Sequence, residues 1–292
     1  MSQIERDPRA GSKPPFGAQE QSLPGSDADL TPTADHGEKS YRGTGKLKDL
    51  GAVVTGGDSG IGRAVALAFA REGADVLISY LEEGDDAAET ARLVEDAGRR
   101  AVQVPGDLAD PNHCEHVITT AASEFGRLDL LVNNAAVQTV HESFEEITDE
   151  EVERVFRTNI FPLFTLCRAA MPLMGAGSAI INTTSIQAYD PAPPLLHYAS
   201  TKGAIVTFTK GLSKELIKRG IRVNAVAPGP VWTPLIAATM PGDEVSTFGE
   251  TNPTGRPAQP ADLAPAYVFL ASAESRFMTG EVIGVTGGRL LP

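Results

Sequence analysis

The chain has 292 residues, 41% of them hydrophobic and 22% charged, which excludes the disordered and fibrous classes for its bulk and leaves room for one large core or two small ones. A formal charge of −13, from 25 Lys and Arg against 38 Asp and Glu, excludes a nucleic-acid partner, because such binding needs a basic surface to displace counterions. The N-terminus has no apolar run. The longest one in the chain, Ile160 to Met174, is too short for a bilayer and contains Arg168, so no membrane partner and a cytoplasmic location are expected.

Residues 1–45 carry five prolines and six glycines, and after Met1 their large apolar side chains are confined to Ile4, Phe16, Leu23, Leu30 and Tyr41. Such a segment cannot bury enough surface to offset its ordering entropy. An irregular arm outside the core is expected, either a disordered tail or a strap over a neighbouring subunit.

From residue 46 to 292 the pattern becomes short apolar runs alternating with longer amphipathic stretches, the mark of strand–helix units and a parallel sheet. Ala52–Thr55, Val76–Tyr80, Ala101–Val104, Leu128–Asn133, Ala179–Thr183, Ile221–Ala225 and Val282–Val285 read as strands. The first six are nearly continuous in Val, Ile, Leu and Ala, as strands covered on both faces should be. Arg63–Arg71 reads as a helix, and Asp110-Pro111 opens another with an N-cap residue and a first-turn proline. Thr148-Asp149-Glu150-Glu151 is a capping box before a helical run over Val152–Met174. A further helix, beginning near Tyr198, repeats Ala204, Phe208, Leu212 and Leu216 and stops at Gly220. Seven strands and about six helices predict one α/β domain, doubly wound, with helices on both faces of the sheet. Cys114 and Cys167 fall in helical runs without metal-ligand spacing and are expected to be reduced and structural, with no metal site.

The first strand runs into Thr55-Gly56-Gly57-Asp58-Ser59-Gly60-Ile61-Gly62 and then a helix. Exposed N–H groups and the helix dipole at that point attract a pyrophosphate, and glycines 56, 60 and 62 allow a tight turn and close approach. Tyr198 and Lys202 are four apart on a helix and share a face, so an ammonium can sit beside a phenol and make it more acidic. A base must titrate near the working pH, which gives that pairing a catalytic use. His197 adjoins Tyr198 but points about 100° away on the helix. Ser185 lies in no Gly-x-Ser-x-Gly elbow, which argues against a serine hydrolase.

Thr55-Gly56-x-x-x-Gly60-x-Gly62 resembles the cofactor loop of the short-chain dehydrogenase/reductase family. Asn133-Asn134-Ala135-Ala136, Asn159, Ser185, Tyr198-Ala199-Ser200-Thr201-Lys202 and Pro228-Gly229 follow in that family's order, over roughly residues 47–288. Ala136 departs from the glycine usual there. The arm, with Asp35-His36-Gly37-Glu38-Lys39-Ser40-Tyr41, is similar to that of the N-terminally extended glucose/ribitol dehydrogenase-like (aldehyde reductase) branch.

The resemblance implies a Rossmann fold holding NAD(P)(H). Its expected contacts are Gly56, Asp58, Ser59, Gly60 and Ile61 in the first loop, then Tyr80, then Asp107 and Leu108 beside the adenine. Asn134, Ala135, Ala136 and Thr183 would follow, with Tyr198, Lys202, Pro228, Gly229, Val231 and Thr233 completing the set. Tyr198 would be the acid and base, Lys202 would hold the nicotinamide ribose, Ser185 would orient the substrate oxygen, and Asn159 would hold a water linking Lys202 to solvent. Tyr80 stands where NAD-selecting members carry a carboxylate, and no basic residue follows it, so both coenzymes are expected to work with a slight lean to NADP.

Substrate walls are expected from Gln187, Tyr189, His197 and Trp232, with a flexible lid over 234–256. A small alcohol, polyol or sugar and its carbonyl suit this mixture. A 3-oxoacyl-acyl-carrier-protein reductase is the alternative within redox chemistry, and a catalytically silent dinucleotide-binding sensor or scaffold is the alternative outside it. By analogy the chain forms a homotetramer through its fourth and fifth helices and its C-terminal strand.

Overall fold

The computed structural model describes residues 7–291, so the outer ends of the expected arm (1–45) and domain (46–292) lie outside the described residues. Seven parallel strands form one sheet in the order β3-β2-β1-β4-β5-β6-β7. They are Gly51–Thr55 (β1), Asp75–Tyr80 (β2), Ala101–Pro105 (β3), Leu130–Asn133 (β4), Ala179–Thr183 (β5), Arg222–Pro228 (β6) and Val282–Val285 (β7). This is the expected doubly wound Rossmann-like arrangement.

Both faces of the sheet are covered, and the strand side chains alternate between them. Val54, Ile78 and Val132 join one core with Phe69 of α1 (Gly60–Arg71), alongside α2 (Gly84–Asp96), and with Leu263 and Tyr267 of α9 (Pro260–Ala271). Val53, Leu77 and Leu131 join the other core, with Ile118 of α3 (Pro111–Phe125), Leu166 of α5 (Phe161–Ala170) and Leu216 of α6 (Leu196–Leu216). Two apolar environments on opposite sides of a strand explain why the alternating polar residues of a half-exposed sheet are missing from these runs.

The end signals operate as read. Asp110 accepts the Asn112 N–H at 2.9 Å. Thr148 and Glu151 close a reciprocal capping box on α4 (Asp149–Asn159). Gly220 adopts a left-handed φ of 75°, after a short 3-10 turn at Ile217–Arg219 that extends α6.

Three expectations are corrected. The run Val152–Met174 is two helices, because Pro162 has no N–H for the carbonyl four residues back and the chain breaks at Ile160 (φ −117°, ψ −51°). The segment 234–256 is only partly a loop, since it holds the short helices α7 (Pro234–Thr239) and α8 (Gly242–Ser246). With these, the described residues form nine α-helices where about six were expected.

The third correction concerns the arm. It contains no helix or strand from residue 7 to 45, yet it is seated on its own chain, where a segment standing outside the core was expected. The physical reason is an apolar seat that the pattern alone does not reveal. Leu30 is buried with Trp232, Ala237 and Val245, and Phe16 packs against the same cluster. No helix among the described residues is long and apolar enough to cross a membrane.

Candidate active site

The strand order reverses between β1 and β4, and in such sheets ligands bind beyond the carboxyl ends of the strands at that point. Here the two strand ends are locked together. Thr55 Oγ1 accepts the N–H groups of Asn134 (2.9 Å) and Ala135 (3.1 Å), while Asn134 Nδ2 donates to the Thr55 and Gly56 carbonyls (3.1 and 3.2 Å). Ala136 causes no strain, because Asp49 is the one described non-glycine residue with positive φ.

A cavity of about 970 Å³ opens over this junction, near the upper end of the ~300–1,000 Å³ usual for small-molecule sites. Every residue expected to contact the coenzyme borders it, from Gly56, Asp58, Ser59, Gly60 and Ile61 through Tyr80, Asp107, Leu108 and the Asn134–Ala136 loop to Pro228, Gly229, Val231 and Thr233. Thr183, Ser185, Gln187, Tyr198 and Lys202 border it as well.

The wall fits a dinucleotide. A Cβ on Gly62 would sit 1.7 Å from the Gly56 carbonyl oxygen, so only glycine lets the turn close this tightly. Ser59 caps α1 without a side-chain hydrogen bond, leaving first-turn N–H donors for an anion. The Ser79 hydroxyl, on the cavity wall, is buried without a protein partner. Asp107 uses one carboxylate oxygen on the Ala109 N–H at 2.8 Å.

Around Tyr80 the charge is acidic. Burial, then the carboxylates of Glu83 and Asp86, push the Asp58 carboxyl up to about 6 against its hydrogen bonds, and burial also raises Glu83. Arg63 is committed elsewhere, to Asp86 at 2.8 Å and Asp27 at 3.4 Å.

The reacting groups stand on α6 and after β5. Lys202 Nζ donates to the Thr183 carbonyl at 3.0 Å and lies 5.3 Å from the centre of the Tyr198 ring. Burial pushes the lysine down to about 7. Burial also pushes the Tyr198 phenol up to about 12, against a hydrogen bond with Ser185 that lowers it. Desolvation thus opposes the charged form of both groups. Ser185 Oγ additionally accepts the Gln187 N–H at 3.1 Å.

Asn159 is buried off the cavity, and its side chain is spent on protein groups. It accepts the Val137 N–H (2.8 Å) and donates to the Val137 carbonyl (2.9 Å) and Thr201 Oγ1 (3.2 Å). The side chain therefore braces the Asn134–Val137 loop against α6, where a water-holding role was expected. The break at Ile160 turns the Leu163 N–H to the Ile160 carbonyl.

Three expected substrate contacts lie off the cavity wall. Trp232 is fully buried, stacked on Phe16 with ring centres 4.3 Å apart, and donates to the Pro32 carbonyl at 2.7 Å. It anchors the arm. His197 is buried against Thr139 Oγ1 at 2.8 Å, and Tyr189 is half-buried beside the lining. Gln187 does border the cavity, with its Oε1 accepting the Ala192 N–H at 2.7 Å.

Other lining residues were not anticipated: Leu23 and Pro24 from the arm, Gln138, and Arg289 near the C-terminus. Gln138 could have been found, since it stands two residues beyond the Asn-Asn-Ala-Ala loop. Its amide donates to Thr239 Oγ1 at 2.9 Å and so ties that loop to α7.

A family profile described as Enoyl-(Acyl carrier protein) reductase matches residues 56–289. A short-chain dehydrogenase from Burkholderia cenocepacia, solved in complex with NADP, superposes with a TM-score of 0.78 at 31% identity, covering 83% of this chain and 98% of its own. The chain belongs to the short-chain dehydrogenase/reductase family. This short-chain dehydrogenase/reductase is 45% identical over 287 residues to the glucose and ribitol dehydrogenase of Daucus carota, covering 96% of this chain and 98% of the relative. It is 44% identical to the NADPH-dependent aldehyde reductase 1 of Arabidopsis thaliana, over 92% of this chain and 96% of that one. It is an oxidoreductase that uses a nicotinamide dinucleotide and acts on CH–OH groups.

Proposed function

We propose that this enzyme interconverts a small alcohol, polyol or sugar with its aldehyde or ketone, and works chiefly as an aldehyde reductase. The observation that carries the reading is the placement of Tyr198, Ser185 and Lys202 together on the cavity wall, with Lys202 Nζ 5.3 Å from the centre of the Tyr198 ring and burial favouring the protonated phenol. A phenol that keeps its proton at neutral pH is set to give it to the oxyanion of a reduced carbonyl, which is a still weaker acid. Ser185 holds the carbonyl oxygen in line with that hydroxyl, and Lys202 steadies the nicotinamide ribose while its charge, when present, stabilises the phenolate left behind until a proton from water restores the hydroxyl. The nicotinamide supplies or accepts the hydride.

Of the expected substrate residues, Gln187 keeps its place in the reading, joined by Gln138. Both border the cavity together with the apolar Leu195, Ile236, Met240 and Phe248 and the charged Glu150, Arg154 and Glu244, a mixture that suits a short chain with one or two hydroxyls. The two relatives named for glucose and ribitol and for aldehydes support the same class.

Both coenzymes are accepted, with NADP(H) preferred. The NADP complex of the Burkholderia relative and the absence of a carboxylate at Tyr80 support the preference. It should be under about tenfold, because Arg63 is already paired and cannot meet a 2′-phosphate. The alternative of a 3-oxoacyl-acyl-carrier-protein reductase is disfavoured, since a chain of charge −13 repels an acidic carrier. The enzyme works in the cytoplasm as a homotetramer, and the exposed Phe161 and Phe164 of α5 and Phe277 and Leu290 near β7 supply apolar contact faces.

The test is a set of initial rates with NADH and NADPH on short aldehydes, aldoses and a 3-oxoacyl thioester, for the wild type and Tyr198→Phe. Aldehyde reduction should fall by about 10²–10⁴-fold in the variant while coenzyme binding persists. Equal rates in the two proteins would favour the silent scaffold, and a preference for the thioester would favour the carrier-protein enzyme.

A further inference from the structure

The arm joins the two walls of the coenzyme cleft. At one end it is stitched to the substrate lid: Phe16 N–H donates to the Ser246 carbonyl (2.8 Å), Gln21 N–H to the Ala237 carbonyl (2.8 Å), and Glu20 Oε1 accepts the Gly242 N–H (3.0 Å). Further along, Leu23 and Pro24 border the cavity itself. Gly25 then passes so close that a Cβ there would meet the Pro234 carbonyl oxygen at 2.9 Å, with φ at +87°. The chain next drives Asp27 into the interior.

The Asp27 carboxylate is 2% exposed and accepts the N–H of Gly60, the first residue of α1, at 2.9 Å. A carboxylate near a pyrophosphate would repel it unless neutralised. His36 Nε2 at 2.9 Å and Arg63 at 3.4 Å provide that neutralisation, with Glu38 behind His36 at 3.1 Å. Asp27 N–H donates in turn to Asp86 Oδ2 at 3.0 Å, the same carboxylate group that holds Arg63. One first-turn donor is thus fixed by the arm, and Ile61, on the cavity wall, keeps its own N–H for the ligand.

We propose that the arm is a clamp on the coenzyme: Asp27 positions the first turn of α1 through Gly60, while Leu23 and Pro24 close the cleft beside it. The inference rests on the reading of this cleft as the dinucleotide site. Asp27 is a positioning residue, since it acts through Gly60. Coupling of this kind is reciprocal: whatever factor the docked arm adds to coenzyme affinity, bound coenzyme must return as protection of the arm.

The experiment uses the full chain, with NADP⁺ and NAD⁺ as probes, and reads binding by calorimetry together with amide hydrogen exchange at Leu23–Asp27. In Asp27→Ala the coenzyme dissociation constant should rise about tenfold to a hundredfold, the size expected for losing a hydrogen bond to a charged group. Asp27→Asn, which keeps an acceptor for Gly60, should recover part of the loss. The rate at saturating coenzyme should stay near the wild-type value, a split that a merely loosened fold would not produce. In the wild type, saturating coenzyme should slow exchange of the arm by a comparable factor. Unchanged affinity in Asp27→Ala overturns the clamp, and if that variant does not fold, wild-type exchange that coenzyme leaves unaltered overturns it. A wild type that binds neither coenzyme overturns the cleft assignment and the clamp together.

Discussion

Lys202 offers a test that needs no substrate. Its amine is buried, has a backbone carbonyl as its hydrogen-bond acceptor, and is pushed from the ordinary lysine value of 10.5 down to about 7. In the unfolded chain the same lysine keeps its proton to about pH 10. Between those limits the unfolded state binds more protons than the folded one, so stability attributable to this residue rises with pH. Below pH 7 both states are charged and the full cost of burying an ammonium remains. Each full unit is worth about 1.4 kcal/mol, and since the amine is half titrated at pH 7 the folded protein should gain about 2 kcal/mol from this group between pH 7 and 9. The assay is urea unfolding of the coenzyme-free protein at pH 6, 7, 8 and 9, for the wild type and Lys202→Met. Titrations distant from Lys202 cancel in the difference, and Tyr198, held up at about 12, does not lose its proton in this range. The methionine variant should be the more stable at pH 6, and its advantage should shrink by about 2 kcal/mol between pH 7 and 9. A difference that stays flat across the series would refute a lysine forced toward neutrality by burial.

Gly62→Ala should abolish coenzyme binding while far-UV circular dichroism stays native, because a methyl 1.7 Å from the Gly56 oxygen must force the loop open; calorimetric titration checks it. Trp232→Ala should cost about 3–5 kcal/mol in urea unfolding, the range for deleting a buried aromatic, and should expose the arm to limited proteolysis. If the proposed homotetramer uses α5, Phe164→Glu, at a residue 54% exposed there, should shift the sedimentation coefficient toward smaller species without lowering the unfolding midpoint of the subunit.

The parts of the molecule readable from sequence are those governed by a short period or a fixed spacing. Val53 and Val54 point to opposite cores, and a run apolar at both announces a strand buried on two sides. Tyr198 and Lys202 sit one helical turn apart, and the glycines from 56 to 62 obey the geometry of a single turn. Trp232 had no such guide. It follows a Pro-Gly-Pro-Val stretch without periodicity, and its burial depends on Phe16 and Leu30, whose contribution arrives from far along the chain. Asp27 and His36 were equally opaque, since a pair of charges in a proline-rich arm reads as solvated until Arg63 and Gly60 are seen around it. The break at Ile160 was legible in part: Pro162 is a first-turn residue by preference, and it marked a new start that the apolar run concealed.

The hydrogen bond from Trp232 to the Pro32 carbonyl spans 200 positions along the polypeptide. During synthesis the arm leaves the ribosome well before its seat, which is completed only when the helices of the lid have been made and the last third of the sheet has closed. Until then the nascent chain carries an unanchored proline-rich leader and a cleft open on one side. Competence to hold its coenzyme therefore comes at the end of folding, after the sheet that bears the reacting groups is already in place.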